Sequence, residues 1–162
     1  MTKEGYLAAI EFFGSHKGLL KAAVIIQKAS ELAVYVIYPL FIALLFLSEN
    51  DFYIKSVLVC GVSFFAITLL RIRLNVPRPY EKYDFTPLIK KESRGRSFPS
   101  RHAFSAAIIA LNVGVVCPFG GALLGVLTLI ISFLRVVLGV HFIKDVVFGI
   151  VAGILLGAIV LI

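Results

Sequence analysis

The chain has 162 residues, of which 60% are hydrophobic and 15% are charged, and its formal net charge is +7. Its mean hydropathy is +1.00, whereas soluble domains are about half apolar with about a quarter of their residues charged. This composition excludes an ordinary soluble protein. Because apolar stretches of roughly 17 to 25 residues recur along the chain, we predict an all-α, multi-pass transmembrane helix bundle.

Residues 1–28 differ from the rest because polar side chains interrupt their apolar pattern, at Glu11, His16, Lys17 and Lys21. An amphipathic helix lying in the membrane interface accommodates such a pattern better than an isolated span does. We therefore predict an N-terminal interfacial amphipathic helix over 1–28 and a transmembrane domain over 29–162. A sixth membrane span over the first segment stays an alternative.

Five membrane spans are predicted in chain order. They run from about Glu31 to Leu47, Lys55 to Leu74, Ser100 to Cys117, Gly120 to Val140 and His141 to Ile162. The fifth contains three glycines at intervals of four residues, and this spacing predicts close packing against another helix.

Three short polar clusters stand at the ends of these spans. They are Arg71 with Arg78-Pro79, then Pro99-Ser100-Arg101-His102, then Arg135 with His141 and Asp145. Counting the membrane crossings places all three on the same side of the bilayer. We therefore expect them to converge on one site.

The residue types of the clusters suit phosphate chemistry. The planar guanidinium of arginine donates paired hydrogen bonds to phosphate oxygens, so Arg71, Arg78 and Arg135 are candidates to bind a phosphate and its transition state. Ser100 lies where the third span begins, and its hydroxyl would add a donor at the positive end of the helix dipole.

The histidines and the aspartate are candidate catalytic groups. His102 lies next to the proposed phosphate ligands and can protonate a leaving oxygen. His141 and Asp145 are four residues apart, so they share one helix face. The carboxylate of Asp145 can accept a hydrogen bond from one ring nitrogen of His141, which leaves the other nitrogen free to attack phosphorus.

Each of these residues also has a structural explanation when it is taken alone. Arginines at span ends follow the positive-inside rule, Ser100 fits a helix N-cap, and Asp145 complements a helix dipole. Lys144, Arg94 and Arg96 are interpreted as surface charges. The coincidence of three clusters on one side of the membrane favours a phosphate site.

At these residues the chain resembles the type 2 phosphatidic acid phosphatase (PAP2) superfamily of membrane lipid phosphatases, which shares its pocket with vanadium haloperoxidases. The family pattern is K-x6-R-P, then P-S-x-H, then S-R-x5-H-x3-D. Two positions of this chain depart from it, because Arg71 replaces the lysine and Leu134 replaces the last serine. Lysine and arginine are not interchangeable at a tight site. Neither departure affects the two histidines or the aspartate, so we expect activity.

The resemblance implies a PAP2/haloperoxidase-like core and a role for each matching residue. His141 would be the nucleophile that forms a phosphohistidine, Asp145 would orient it, and His102 would be the general acid. The phosphate-binding residues would be Arg71, Arg78, Ser100 and Arg135. The resemblance implies neither a metal ion nor a cofactor.

The expected substrate is a lipid whose tails stay in the bilayer while its phosphate reaches the arginines. An isoprenyl diphosphate such as undecaprenyl diphosphate is preferred, and phosphatidylglycerol phosphate and phosphatidic acid stay open. The loop from Tyr80 to Phe98 has more basic than acidic residues, and this excess of positive charge suits anionic headgroups. The basic residues are Lys82, Lys90, Lys91, Arg94 and Arg96, and the acidic residues are Glu81, Asp84 and Glu92. This loop is too short and too close to the membrane to predict nucleic-acid binding. The sequence indicates no oligomeric state.

The orientation in the cell membrane and two rival functions stay open. Lys and Arg concentrate on the side of the predicted site, which by the positive-inside rule places that side in the cytoplasm, whereas bacterial relatives that act on undecaprenyl diphosphate face outward. A catalytically silent lipid-phosphate binding or transport protein would also retain the arginines. A vanadate-dependent haloperoxidase would use the same oxyanion pocket.

Overall fold

The computed structural model describes residues 1–89 and 94–162, which form a bundle of helices. The helices are α1 (Lys3–Ser15), α2 (Lys17–Leu47), α3 (Phe52–Leu74), α4 (Pro79–Tyr83), α5 (Arg101–Val116), α6 (Pro118–Val137) and α7 (Ile143–Gly157), and a 3-10 turn over Ala158–Leu161 follows. By length and composition α2, α3, α6 and α7 with its turn can cross a membrane, and α5 is a shorter apolar helix. The predicted all-α transmembrane bundle is confirmed.

When the 3-10 turn is counted with α7, the helices match the predicted spans to within three residues, except that α2 begins at Lys17 and not near Glu31. The reason is a continuous buried face, with Ala23, Gln27, Ser30 and Val34 at helical spacing. Lys21 and Lys28 lie on the exposed face of the same helix, so their charges do not interrupt it. Glu31 consequently lies in the middle of α2.

Helix α7 packs closely on α5 because glycines line the contact. A Cβ atom at Gly149 would lie 2.7 Å from the carbonyl oxygen of Ser100, and one at Gly153 would lie 2.7 Å from that of Phe104. Only a residue without a side chain fits such a backbone approach. The contact sets the start of α7 beside the start of α5, where the second and third polar clusters lie.

Helix α1 is attached to the bundle through Tyr6, which is fully buried. Its ring packs against those of Tyr83, Phe85 and Phe142, and its hydroxyl donates a hydrogen bond to the carbonyl oxygen of His141 at 3.0 Å. Burial raises the pKa of Tyr6, so the phenol stays a donor. The N-terminal helix therefore contacts the loop before α7.

The outer surface of the bundle is apolar over most of its helices. The large apolar side chains that are more than half exposed include Leu40, Leu44, Phe65, Leu129, Phe133 and Leu155. An apolar exterior of this size is typical of a lipid-facing surface and not of one in water.

Candidate active site

Arg71 lies in the last turn of α3 and is buried there. Its guanidinium donates hydrogen bonds to the carbonyl oxygens of Pro99 and Arg96. Helix α3 ends at Asn75, whose backbone is left-handed with a φ of 40°, a conformation that asparagine tolerates better than most residues. Arg71 thus joins the end of α3 to the segment that leads into α5.

Arg78 is buried between two loops. Its Nε donates to the carbonyl oxygen of Gly95 and its Nη1 to that of Val140, each at 3.1 Å. The carboxylate of Glu81 accepts from the backbone N–H of Arg78 at 2.8 Å and from that of Gly95 at 2.9 Å. These bonds bring the first cluster of the sequence next to the third.

His141 and Asp145 form a buried pair at the start of α7. The Oδ2 atom of Asp145 lies 3.4 Å from Nδ1 of His141, and it accepts hydrogen bonds from Oγ of Ser97 at 2.5 Å and from the backbone N–H of Phe142 at 3.0 Å. Because Nδ1 faces the carboxylate, Nε2 is the ring nitrogen that is available for chemistry.

The pKa of His141 is lowered to about 4, chiefly because burial disfavours the charged ring. The hydrogen bond to Asp145 opposes this shift, whereas the positive charges of Arg78 and Arg135 reinforce it. An unperturbed histidine has a pKa of about 6.5. His141 is therefore neutral at pH 7, and a neutral imidazole has the free electron pair that a nucleophile needs.

Arg135, His102 and Glu31 meet on the other side of the site. Nη2 of Arg135 lies 2.5 Å from Nε2 of His102 and 2.9 Å from Oε1 of Glu31. Arg135 is 3% exposed, and within the described residues its Nε–H has no hydrogen-bond partner. A buried donor of this kind is usually satisfied, so the arrangement leaves room for an additional acceptor.

Two cavities meet at His102. The smaller, of about 170 Å³, is lined by Thr68, Arg71, Ile72, Arg78, Arg96, Arg101, His102 and His141. The larger, of about 450 Å³, is lined by Val24, Gln27, Lys28, Glu31, Leu88, Ile89, His102 and Arg135. The first has mainly cationic polar groups, and the second combines charged with aliphatic side chains.

The structure therefore places four of the predicted site residues around one cavity, namely Arg71, Arg78, His102 and His141. Asp145 lies behind His141, and Arg135 borders the neighbouring cavity. Ser100 is fully buried as the N-cap of α5, where its Oγ accepts from the backbone N–H of Ala103 at 3.5 Å. Ser100 does not line either of these two cavities, and its predicted phosphate contact stays a prediction.

Sequence reasoning missed several residues that contact the site. Glu31 could have been found, because an acidic residue within an apolar run is unusual in a membrane span. Ser97 and Tyr6 carried no such indication, since their partners Asp145 and His141 are 48 and 135 positions away in the chain. Three charged residues of the predicted headgroup loop, Lys90, Lys91 and Glu92, lie outside the described residues.

Comparisons with known proteins agree on one family. The model of the PAP2 superfamily matches residues 52–162. The crystal structure of LpxE from Aquifex aeolicus superposes with a TM-score of 0.72 at 27% identity, covering 88% of this chain and 85% of that one. The crystal structure of a transmembrane PAP2-type phosphatidylglycerolphosphate phosphatase from Bacillus subtilis superposes with a TM-score of 0.74 at 26% identity, covering 98% of this chain and 81% of that one. No curated protein matches the sequence significantly.

Proposed function

The chain belongs to the PAP2 superfamily, and from that premise we propose that it hydrolyses a lipid phosphate or isoprenyl diphosphate through a phosphohistidine intermediate. The substrate we favour is undecaprenyl diphosphate. One observation carries the proposal: His141, neutral at pH 7 and paired with Asp145, lines a small cavity together with Arg71, Arg78 and His102. Nucleophile, anion-binding groups and a proton donor are thus all within one pocket.

The reaction has two steps. Nε2 of His141 attacks the terminal phosphorus, and the bond from that phosphorus to the leaving-group oxygen breaks, which releases the lipid alcohol or, from a diphosphate, the lipid monophosphate. His102 donates a proton to that oxygen. Asp145 stabilises the positive charge that develops on the His141 ring. Water then attacks the phosphohistidine, His102 accepts a proton from the water, and the P–N bond breaks to release inorganic phosphate.

Neither a metal ion nor a cofactor takes part in this proposal. The guanidinium groups of Arg71, Arg78 and Arg135 meet the charge on the phosphate oxygens. The buried Nε–H of Arg135, which has no partner within the described residues, supports this role because a phosphate oxygen would satisfy it. Phosphate release should therefore be unchanged by a chelator.

The position of His102 supports a division of the site into two parts. A phosphate fits the cavity of about 170 Å³, and the leaving group fits the cavity of about 450 Å³, with His102 at the oxygen between them. Lys28 and Arg135 line the larger cavity with Glu31, which pairs with Arg135 at 2.9 Å, so the net charge of these three side chains is positive. Cationic side chains there favour a leaving group that itself carries a phosphate, which an isoprenyl diphosphate provides.

Phosphatidylglycerol phosphate is the second candidate substrate. The similarity to the Bacillus subtilis phosphatidylglycerolphosphate phosphatase over 98% of this chain favours it. Phosphatidic acid is the third candidate. In all three cases the lipid tails would stay in the bilayer beside the apolar exterior of the helices.

The proposed location is the cell membrane, with α1 and the N-terminal turns of α2 at its interface and five spans, of which α2 forms the first. Five spans put the C-terminus on the opposite side from the active site. A reporter fused after Ile162 and a thiol label on a Lys144→Cys variant, at an exposed position, should therefore be found on opposite sides of the membrane. Detection of both on one side would contradict the five-span topology, and the labelling would also establish which side the site faces.

The test of the activity is phosphate release in detergent from undecaprenyl diphosphate, phosphatidylglycerol phosphate and phosphatidic acid, with a chelator present. Wild type and His141→Ala are compared as full-length proteins. Release by wild type alone would support the proposal, and the fastest lipid would identify the substrate. A folded wild type that binds these lipids but releases no phosphate would instead indicate a silent binding or transport protein.

A further inference from the structure

Glu31 is an acidic residue in the middle of a membrane-spanning helix, and it lies outside residues 52–162, which match the family model. An ionisable side chain within a span is costly unless it is paired, and it commonly marks a functional site. Gln27, one turn earlier on α2, donates through Nε2 to Oε1 of Glu31 at 3.1 Å. The carboxylate is thus held toward the bundle and away from lipid.

One oxygen of Glu31 faces two groups of the proposed reaction. Its Oε1 lies 2.9 Å from Nη2 of Arg135 and 3.8 Å from Nε2 of His102. The same Nη2 of Arg135 lies 2.5 Å from Nε2 of His102. Carboxylate, guanidinium and imidazole therefore form a three-membered cluster at the boundary between the two cavities.

Among the described residues, most of the charged side chains around His102 are cationic. The charged or titratable side chains that line its two cavities are Arg71, Arg78, Arg96, Arg101, His141, Lys28, Arg135 and Glu31. Asp145 faces His141 and Ser97 from behind the smaller cavity. Among the described residues that line the two cavities, Glu31 is the sole carboxylate.

This distribution of charge creates a problem for a general acid. His102 must carry a proton when the substrate arrives, yet a protonated imidazole in contact with the Arg135 guanidinium places two positive charges together. A carboxylate in contact with both groups offsets that repulsion. It also fixes the direction of the Arg135 guanidinium and, through it, the position of the His102 ring.

We propose that Glu31 is a positioning residue for the general acid, which keeps His102 protonated and oriented toward the leaving-group oxygen. The inference depends on the proposed phosphatase function, because it concerns the proton that the reaction consumes. Glu31 acts through His102 and Arg135 and does not touch the phosphate. A purely structural role would instead be to anchor α2 to α6 through Arg135.

The discriminating variant is Glu31→Gln in the full-length protein. The amide keeps the size of the side chain and can still accept a hydrogen bond from Arg135, so the anchoring of α2 is preserved while the charge is removed. With phosphatidic acid, a substrate with an alkoxide leaving group, kcat should fall about tenfold, a part of the 10²–10⁴ that general acids contribute, with little change in KM. The basic limb of kcat/KM should move to lower pH, because an uncompensated His102 loses its proton more readily.

The matched control is Glu11→Gln, which removes an exposed carboxylate from α1. It should leave kcat and the pH profile of kcat/KM unchanged. Glu31→Asp, which keeps the charge, should recover part of kcat. If Glu31→Gln folds and retains the wild-type kcat and pH profile, the inference is wrong while the phosphatase proposal stands.

A measurement that needs no turnover separates the two proposals. The chain has three histidines, so NMR of the imidazole groups can follow the His102 ring, assigned with a His102→Gln variant. In Glu31→Gln the midpoint of the His102 titration should move to lower pH by about one unit. One pH unit is a tenfold change in the protonation equilibrium, which matches the expected fall in kcat. An unchanged midpoint would overturn the inference even in a protein that shows no phosphatase activity.

Discussion

Residues 52–162 and residues 1–47 contribute to the site in different ways. The first region matches the family model and contains the site arginines, both site histidines and Asp145, and four of these residues line one cavity. The second region has no motif, yet Tyr6 contacts the backbone of His141 and Glu31 contacts His102 and Arg135. The candidate catalytic groups therefore lie in the motifs, whereas residues that contact them also lie on helices that no motif marks.

The largest expected effect is on the motif region. His141→Ala removes the nucleophile and should lower phosphate release by at least about a thousandfold, because the remaining groups bind the substrate but form no covalent intermediate. Phosphate release and lipid binding are measured on the same preparation. Binding that persists without turnover would agree with this expectation, and turnover near the wild-type rate would contradict it.

Packing between α5 and α7 should be the next most sensitive feature. Gly153→Val places side-chain atoms where a Cβ would already lie 2.7 Å from the carbonyl oxygen of Phe104, and overpacking of this kind costs about 1–3 kcal/mol. Thermal unfolding in detergent should show a lower Tm together with reduced activity. The matched control is Gly61→Val on α3, where a Cβ has no neighbour within 4 Å. Equal shifts of Tm in both variants would contradict the proposed packing role.

The pH dependence tests the electrostatics of His141. Its pKa is lowered to about 4, so the nucleophile is neutral above that pH and becomes protonated below it. The acid limb of kcat/KM should therefore lie near pH 4, with a loss of about tenfold for each further pH unit. An acid limb near pH 6.5, the ordinary histidine value, would show that burial does not shift His141.

The smallest expected effect concerns the N-terminal region. Tyr6→Phe removes the hydrogen bond to the carbonyl oxygen of His141 but keeps the ring in its aromatic cluster. A bond of this kind contributes about 1 kcal/mol, so kcat should fall about threefold to fivefold. Tyr53→Phe, in the first turn of α3, is the control. A loss as large as that of His141→Ala would show that α1 is part of the catalytic machinery and not a support for it.

Much of the fold could be predicted because hydrophobicity alone defines membrane helices. Four predicted spans agree with α3, α5, α6 and α7 with its 3-10 turn to within three residues, since polar turns or prolines bound most of the apolar runs. Helix α2 begins earlier than the predicted first span because its lysines interrupt the apolar run in the sequence but share one exposed face of the helix. Amphipathicity within a long helix is therefore harder to recognise than a continuous apolar run.

The site was predictable where motifs record it and hidden where tertiary contacts create it. The expected meeting of Arg71, Arg78, His102 and His141 appears in the structure as one cavity. Their second role could not be read from the sequence, since Arg71 and Arg78 also hold the loops before α5 and α7 through carbonyl oxygens. The pairing of Glu31 with Arg135 depends on how α2 packs against α6, which no local pattern specifies.

The proposed phosphohistidine mechanism can be tested by trapping the covalent intermediate on His141. The protein is mixed with a lipid phosphate or diphosphate labelled with ³²P in the group that is transferred, and it is quenched in alkali within one turnover. We expect label on His141 that is stable to alkali and lost in acid, as is typical of a P–N bond, and no label in His141→Ala. Phosphate release by wild type without labelled protein, and undiminished in His141→Ala, would contradict it.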